Sequence, residues 1–143
     1  MTAVLETITI LTHAETELIN ITPEVRGIVE KSGIKNGTVF ILSRHTTTGI
    51  TVNEGLPDLE MDIAELITHL VPEKNSYHHA RFLHSDGQNA INAVAHLRGA
   101  LLGFEVFFPI ENGKIVSGDR QTIYFVELDG PQERKYSVQV TGE

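Results

Sequence analysis

The last third of the chain constrains the fold most. Residues 104–110, 115–117, 121–128 and 134–141 are β-type runs, punctuated by Asn112-Gly113 and Asp129-Gly130-Pro131. An Asn-Gly pair between two such runs signals a hairpin, because both residues tolerate the positive φ of a tight primed turn. This part of the chain is therefore expected to be antiparallel β.

The rest alternates strands with three helices. Residues 4–11 (VLETITIL) and 17–21 (ELINI) read as a hairpin around His13-Ala14-Glu15. Thr22-Pro23-Glu24 opens a helix with an apolar face of Val25, Ile28 and Val29, and Gly33 is placed to end it in a left-handed cap. Residues 38–52 are β-branched and strand-like; Gly49 marks a bulge or a close backbone approach. A second helix runs from Pro57-Asp58 to just before Pro72, with Leu59, Ile63, Leu66, Ile67 and Leu70 as its core stripe. Ser85 and Gln88 resemble a capping box for a third helix ending at Leu102-Gly103. With no linker, repeat or low-complexity tract, residues 1–143 read as one α+β domain of mostly antiparallel or mixed sheet and about three helices.

Composition narrows the function. A domain of 143 residues buries roughly 68–70% of its unfolded surface and needs no covalent staples. It has no cysteine, so a metal would have to be held by His, Asp or Glu, and a cytoplasmic location is expected. The first residues lack the pattern of a signal peptide, and no stretch approaches the roughly 20 apolar residues of a membrane span. Eleven Lys and Arg against 19 Asp and Glu, a net charge of −8, argue against a nucleic-acid partner, since phosphate backbones are bound by neutralising them. A small ligand at a local site remains open.

Three segments hold candidate site residues. On the strand, alternation places His45, Thr47, Gly49, Thr51 and Asn53 on one face, with His45 and Asn53 roughly 26 Å apart if the strand is unbroken. Its two ends then serve different ends of the sheet, or neighbouring subunits bring them together. On the second helix, Asp58, Asp62, Glu65 and His69 form a strip, and Asp62, nearest the apolar stripe, is the candidate for a half-buried site carboxylate. On the third helix, Asn89, Asn92 and His96 share a side flanked by small Ala93, Gly99 and Ala100 rather than by charges. That pattern predicts a helix packed on both sides, with His96 in a polar pocket or interface. Arg98 falls within the apolar arc, where it must reach out of the core or be paired, by an internal or subunit salt bridge or by an anionic ligand group. His78 and His79 point opposite ways on any extended segment, so at most one enters a given site. No local metal signature is present.

Taken in order, H-T-T-x-x-x-T-V-N-E from His45, Y-x-H from Tyr77, A-H-L-R-x-x-L-L-G from Ala95, P-I-x-x-G-x-I from Pro109, Q-x-I-x-x-x-E from Gln121 and the terminal T-G-E resemble the YjbQ-like family of secondary thiamine-phosphate synthase enzymes. The resemblance implies a homotrimer and a histidine-containing site for a divalent metal, zinc or magnesium. Carried over, the resemblance points to His45, Asn53, Glu54, Asp62, His79, His96, Arg98, Gln121, Glu127 and Arg134. Of these His45, His79 and His96 are expected as metal ligands, Asn53, Glu54 and Asp62 as catalytic residues, and Arg98, Gln121 and Arg134 as substrate-binding residues, together with Arg120, which the family pattern does not supply. The implied activity is a transferase reaction joining a pyrimidine pyrophosphate to a thiazole phosphate, with a small phosphorylated molecule as partner. A metal-dependent hydrolase and a non-catalytic small-ligand protein are the alternatives. The chain departs from the family pattern at Leu56, Glu105 and Arg120, the last replacing a Trp.

Overall fold

Eight antiparallel strands form two sheets in the computed structural model, which describes residues 1–78 and 92–143. In chain order the elements are β1 (Thr2–Leu11), β2 (Glu17–Asn20), α1 (Thr22–Ser32), β3 (Gly37–Ser43), β4 (Thr48–Glu54), α2 (Pro57–Leu70), α3 (Ala93–Leu102), β5 (Glu105–Glu111), β6 (Lys114–Ile115), β7 (Gln121–Glu127) and β8 (Glu133–Gly142). One sheet has the order β1-β8-β3-β5-β6, the other β2-β7-β4. Asn112 and Gly113 both take positive φ and turn β5 into β6, as the Asn-Gly pair predicts. The class is α+β.

The layers follow from the side-chain pattern. Ile123 and Phe125 of β7 face the five-stranded sheet, where Val39, Ile41, Phe108, Val138 and Val140 join α1 residues Val25, Ile28 and Val29 in the main core. Tyr124 and Val126 face the other way and form a smaller cluster with Ala95 of α3. A strand buried on both faces needs a continuous apolar run, and Ile123-Tyr124-Phe125-Val126 supplies it. The outer face of the larger sheet carries Leu5, Phe40 and Phe107 in one cross-strand row, with Leu5 62% and Phe107 66% exposed.

Three expectations change. Residues 4–11 and 17–21 are not a hairpin: β1 pairs with β8, and β2 pairs with β7 in the other sheet. Buried Thr12 holds that crossing by bonding Gln132 and Glu127. Residues 38–52 are two strands, β3 and β4, one in each sheet, joined by a corner at residues 44–47. Ser43 and Thr48 hydroxyls bond each other across that corner, and Ser43 Oγ accepts the His45 amide. The α2 stripe is only partly used: Ile67 is buried, but Leu66 and Leu70 are exposed. The predicted beginning of the third helix lies outside the described residues; its end at Leu102, followed by Gly103 with φ 84°, is as expected.

Helix α3 comes very close to β4. A methyl group on Gly99 would sit 2.8 Å from Thr46 O and 2.9 Å from Thr48 O. One on Gly49 would sit 2.9 Å from Leu102 Cβ. The small side of α3 therefore packs on the strand at Gly99, as predicted, but among the described residues the helix is not packed on both sides, since Leu97 and Leu101 of its apolar arc are exposed. No helix among the described residues is long and apolar enough to cross a membrane.

Candidate functional site

The corner at residues 44–47 and the facing side of α3 enclose a cleft of two lobes. Arg44, His45, Thr46 and His96 line both. One lobe, about 430 Å³, is closed by Gly99, Ala100, Gly103 and Phe104. The other, about 580 Å³, is polar and adds Thr47, Asn92, Asp129, Gln132 and Arg134. Gly99 makes the cleft possible, because its missing side chain seats α3 against the corner. His96 also lines a third cavity of about 400 Å³ with Tyr77, His78, Ala93 and Leu97.

Two adjacent residues of β8 hold the corner. The Lys135 amide donates to His45 Nε2 at 2.9 Å. A neutral imidazole has one donor and one acceptor nitrogen, so this bond puts the ring proton on Nδ1. Burial, then the positive charges of Arg134, Arg44 and Lys135, hold the His45 pKa below 6.5, with Glu127 opposing. His45 is thus kept neutral, with Nδ1–H as the donor it can offer. Arg134 donates to Thr47 Oγ1 at 2.8 Å and grips both oxygens of Glu127 at 2.8 and 2.6 Å. Glu127 also accepts from Thr12 Oγ1 and from the amides of Leu128 and Asp129. Burial alone would raise the Glu127 pKa, but Arg134, the Asp129 amide and Thr12 bring it below the ordinary value. The pair is closed off from water, Glu127 being 0% and Arg134 3% exposed.

Of the residues expected at the site, His45 and His96 come together. His79 lies outside the described residues, as does His84. Asn53, Glu54, Arg120 and Gln121 line a separate pocket of about 470 Å³ at the far end of β4. There Arg120 pairs with Glu54 at 3.2 Å, and Gln121 Oε1 accepts the Gly118 amide. Asp62 is exposed rather than half buried, because α2 buries only Ile67 and leaves the neighbouring strip in water. Arg98 is buried, but among the described residues it has neither salt bridge nor place in the cleft; its Nε and Nη2 both donate to Val71 O, the carbonyl just past α2. Arg134 borders the cleft, yet its charge is matched by Glu127.

The donor set bears on the expected metal. The Nε2 lone pair of His45 already accepts the Lys135 amide and Nδ1 carries the proton, so this arrangement presents no free imidazole lone pair. Among the described residues, no three of His, Asp and Glu converge to hold an ion. The described residues therefore do not by themselves fit a tetrahedral site.

Two cleft residues escaped the sequence reading. Arg44 sits beside His45, but strand alternation put it on the opposite face, and only the corner brings both to one cavity. Asp129 was absorbed by its turn motif. Its carboxylate is oriented by Asn92, whose Nδ2 donates to Oδ2 at 3.2 Å, and its carbonyl accepts from Gln132 Nε2. Nothing local in the sequence pairs Asn92 with Asp129.

Comparison with known proteins completes the picture. The family model for "UPF0047 protein YjbQ-like" matches residues 6–143. The chain belongs to the YjbQ-like family. A UPF0047 protein of Methanothermobacter thermautotrophicus is 42% identical over 134 residues, covering 92% of this chain and 87% of the relative. The UPF0047 protein YugU of Bacillus subtilis is 34% identical over 139 residues, covering 96% of this chain and 99% of the relative. The crystal structure of a YjbQ-like protein of unknown function from Sulfolobus solfataricus superposes with a TM-score of 0.90 at 40% identity, covering 99% of each chain.

Proposed function

We propose that this YjbQ-like protein binds a small phosphorylated molecule in the cleft between the 44–47 corner and α3. The observation that carries the reading is that Arg44 and neutral His45, with Nδ1–H available, line one cavity with Thr46, Thr47 and His96. An arginine and neutral donors suit a phosphoryl group better than a bare cationic patch, since they fix its orientation as well as its charge. Among the described residues Arg44 has no ion-pair partner, so its charge is available to a ligand. The volume of each lobe lies in the range of small-molecule sites, about 300–1,000 Å³.

The test uses inorganic phosphate and pyrophosphate as probes. Titration should shift the ring ¹⁵N signals of His45 and His96 in the native protein, and Arg44→Gln should weaken binding about tenfold, the effect of losing one charged hydrogen bond. Absence of any shift at millimolar phosphate or pyrophosphate would remove the proposal.

A transferase reading is supported by the second polar pocket. A displacement of pyrophosphate needs two substrates, and the pocket of Asn53, Glu54, Arg120 and Gln121 offers a second place to bind. It sits at the other end of β4, roughly 20 Å from the corner along seven residues of strand. One reaction would use both only across a subunit boundary. The row of exposed Leu5 and Phe107 with half-buried Phe40 between them supports such self-association. Incubation with a pyrimidine pyrophosphate and a thiazole phosphate, assayed for thiamine phosphate, tests this reading, and light scattering gives the subunit number.

A further inference from the structure

We infer that the polar lobe takes a zwitterion, a molecule that presents an ammonium or other N–H group to Asp129 while its oxyanion meets Arg44 and His45. The inference rests on the phosphate reading and names the ligand class for the same cleft. Arg44 and Asp129 line one lobe of about 580 Å³, yet they do not pair with each other. Among the described residues Arg44 has no ion pair or side-chain hydrogen bond, and the Asp129 carboxylate has only the Asn92 amide on Oδ2. The third and fourth charges of the lobe's wall, Arg134 and the Glu127 behind it, neutralise each other. Among the described residues, Arg44 and Asp129 are the Arg and Asp side chains of the lobe that remain without an ion pair.

Asp129 is held for this purpose rather than left loose. Its amide donates to Glu127 Oε2 at 3.0 Å, its carbonyl accepts Gln132 Nε2 at 2.6 Å, and Asn92 fixes one carboxylate oxygen. The other oxygen, Oδ1, accepts nothing from the described residues. A ligand entering the lobe displaces water from that carboxylate. A second anionic group placed there would meet like charge without compensation, whereas an N–H donor replaces what the water supplied. The half-buried carboxylate thus discriminates against ligands that are anionic at both ends.

Phosphoethanolamine and ethyl phosphate differ mainly by the ammonium group and are the probes. Calorimetry on the native full chain should give at least about tenfold tighter binding of phosphoethanolamine, the effect of one charged hydrogen bond. Asp129→Asn, which can still accept from Asn92, should erase that preference, bringing the ratio of the two affinities to about one. Equal binding of the two phosphates by the native protein would overturn the zwitterion inference while leaving the phosphate reading intact. Binding of neither would overturn both. A preference that survives Asp129→Asn would also reject the role of Asp129. The native comparison decides the matter alone should that variant fail to fold.

Discussion

Glu127→Gln should cost this protein about 3–5 kcal/mol of stability, the range for removing one partner of a buried ion pair. The structure says why the amide cannot substitute. Oε1 accepts from Thr12 Oγ1 and Arg134 Nε; Oε2 accepts from the Leu128 and Asp129 amides and Arg134 Nη2. Whichever way the glutamine amide turns, its NH₂ faces at least two donors, and Arg134 keeps its buried charge with no counter-ion. Urea unfolding is the assay. With a slope of about 2 kcal/mol per molar, the midpoint should fall by about 2 M. The double variant Glu127→Gln with Arg134→Met should be more stable than the sum of the two single losses implies, because the stranded charge is gone. A loss below about 1 kcal/mol in the single variant would refute the argument, and a double variant with strictly additive losses would show that the two groups are not coupled. Protein concentration should be varied in the same experiment, since any subunit association shifts the midpoint.

Two further outcomes are expected. Gly99→Ala should destabilise by about 1–3 kcal/mol, because its methyl would press on two backbone carbonyls that cannot rotate away, and it should move the His45 and His96 ring signals; a change within about 0.5 kcal/mol and unmoved signals would show that the contact is not tight. The His45 ring should titrate below 6.5, followed by NMR. Because its folded pKa lies below the unfolded one, its stabilising contribution is complete above pH 6.5 and is lost as pH falls towards the folded pKa; Glu127, also lowered, adds a second loss below pH 4.5. A His45 midpoint above 6.5 would contradict the placement of Lys135 N–H against Nε2.

The fold was readable where local chemistry decided it. Asn112-Gly113, Gly33 and Pro23 each mark a conformation that few other residues would take so readily, and those elements sit where they were expected. The small side of α3 correctly signalled a close neighbour. What escaped the sequence depended on which sheet a strand joins. Nothing between residues 44 and 47 declares that β3 and β4 part company there, because Thr and Ser fit a strand as well as a corner. That single misreading kept Arg44 away from His45 and put the expected cations at Arg98, Arg120 and Arg134 instead. Asp62 failed for a related reason: helical periodicity tells which residues share a face, but not how much of that face finds a partner. The Glu127–Arg134 pair joins residues seven apart in the chain yet on strands of different sheets. No spacing rule predicts such a pair.

The contact between Lys135 and His45 has an evolutionary consequence. It is made by a peptide nitrogen, which nineteen of the twenty amino acids supply equally well; proline alone lacks the hydrogen. Surface position 135 can therefore drift in charge and size while the imidazole keeps its orientation. The proton's place on that ring is written into the path of the main chain, beyond the reach of most substitutions.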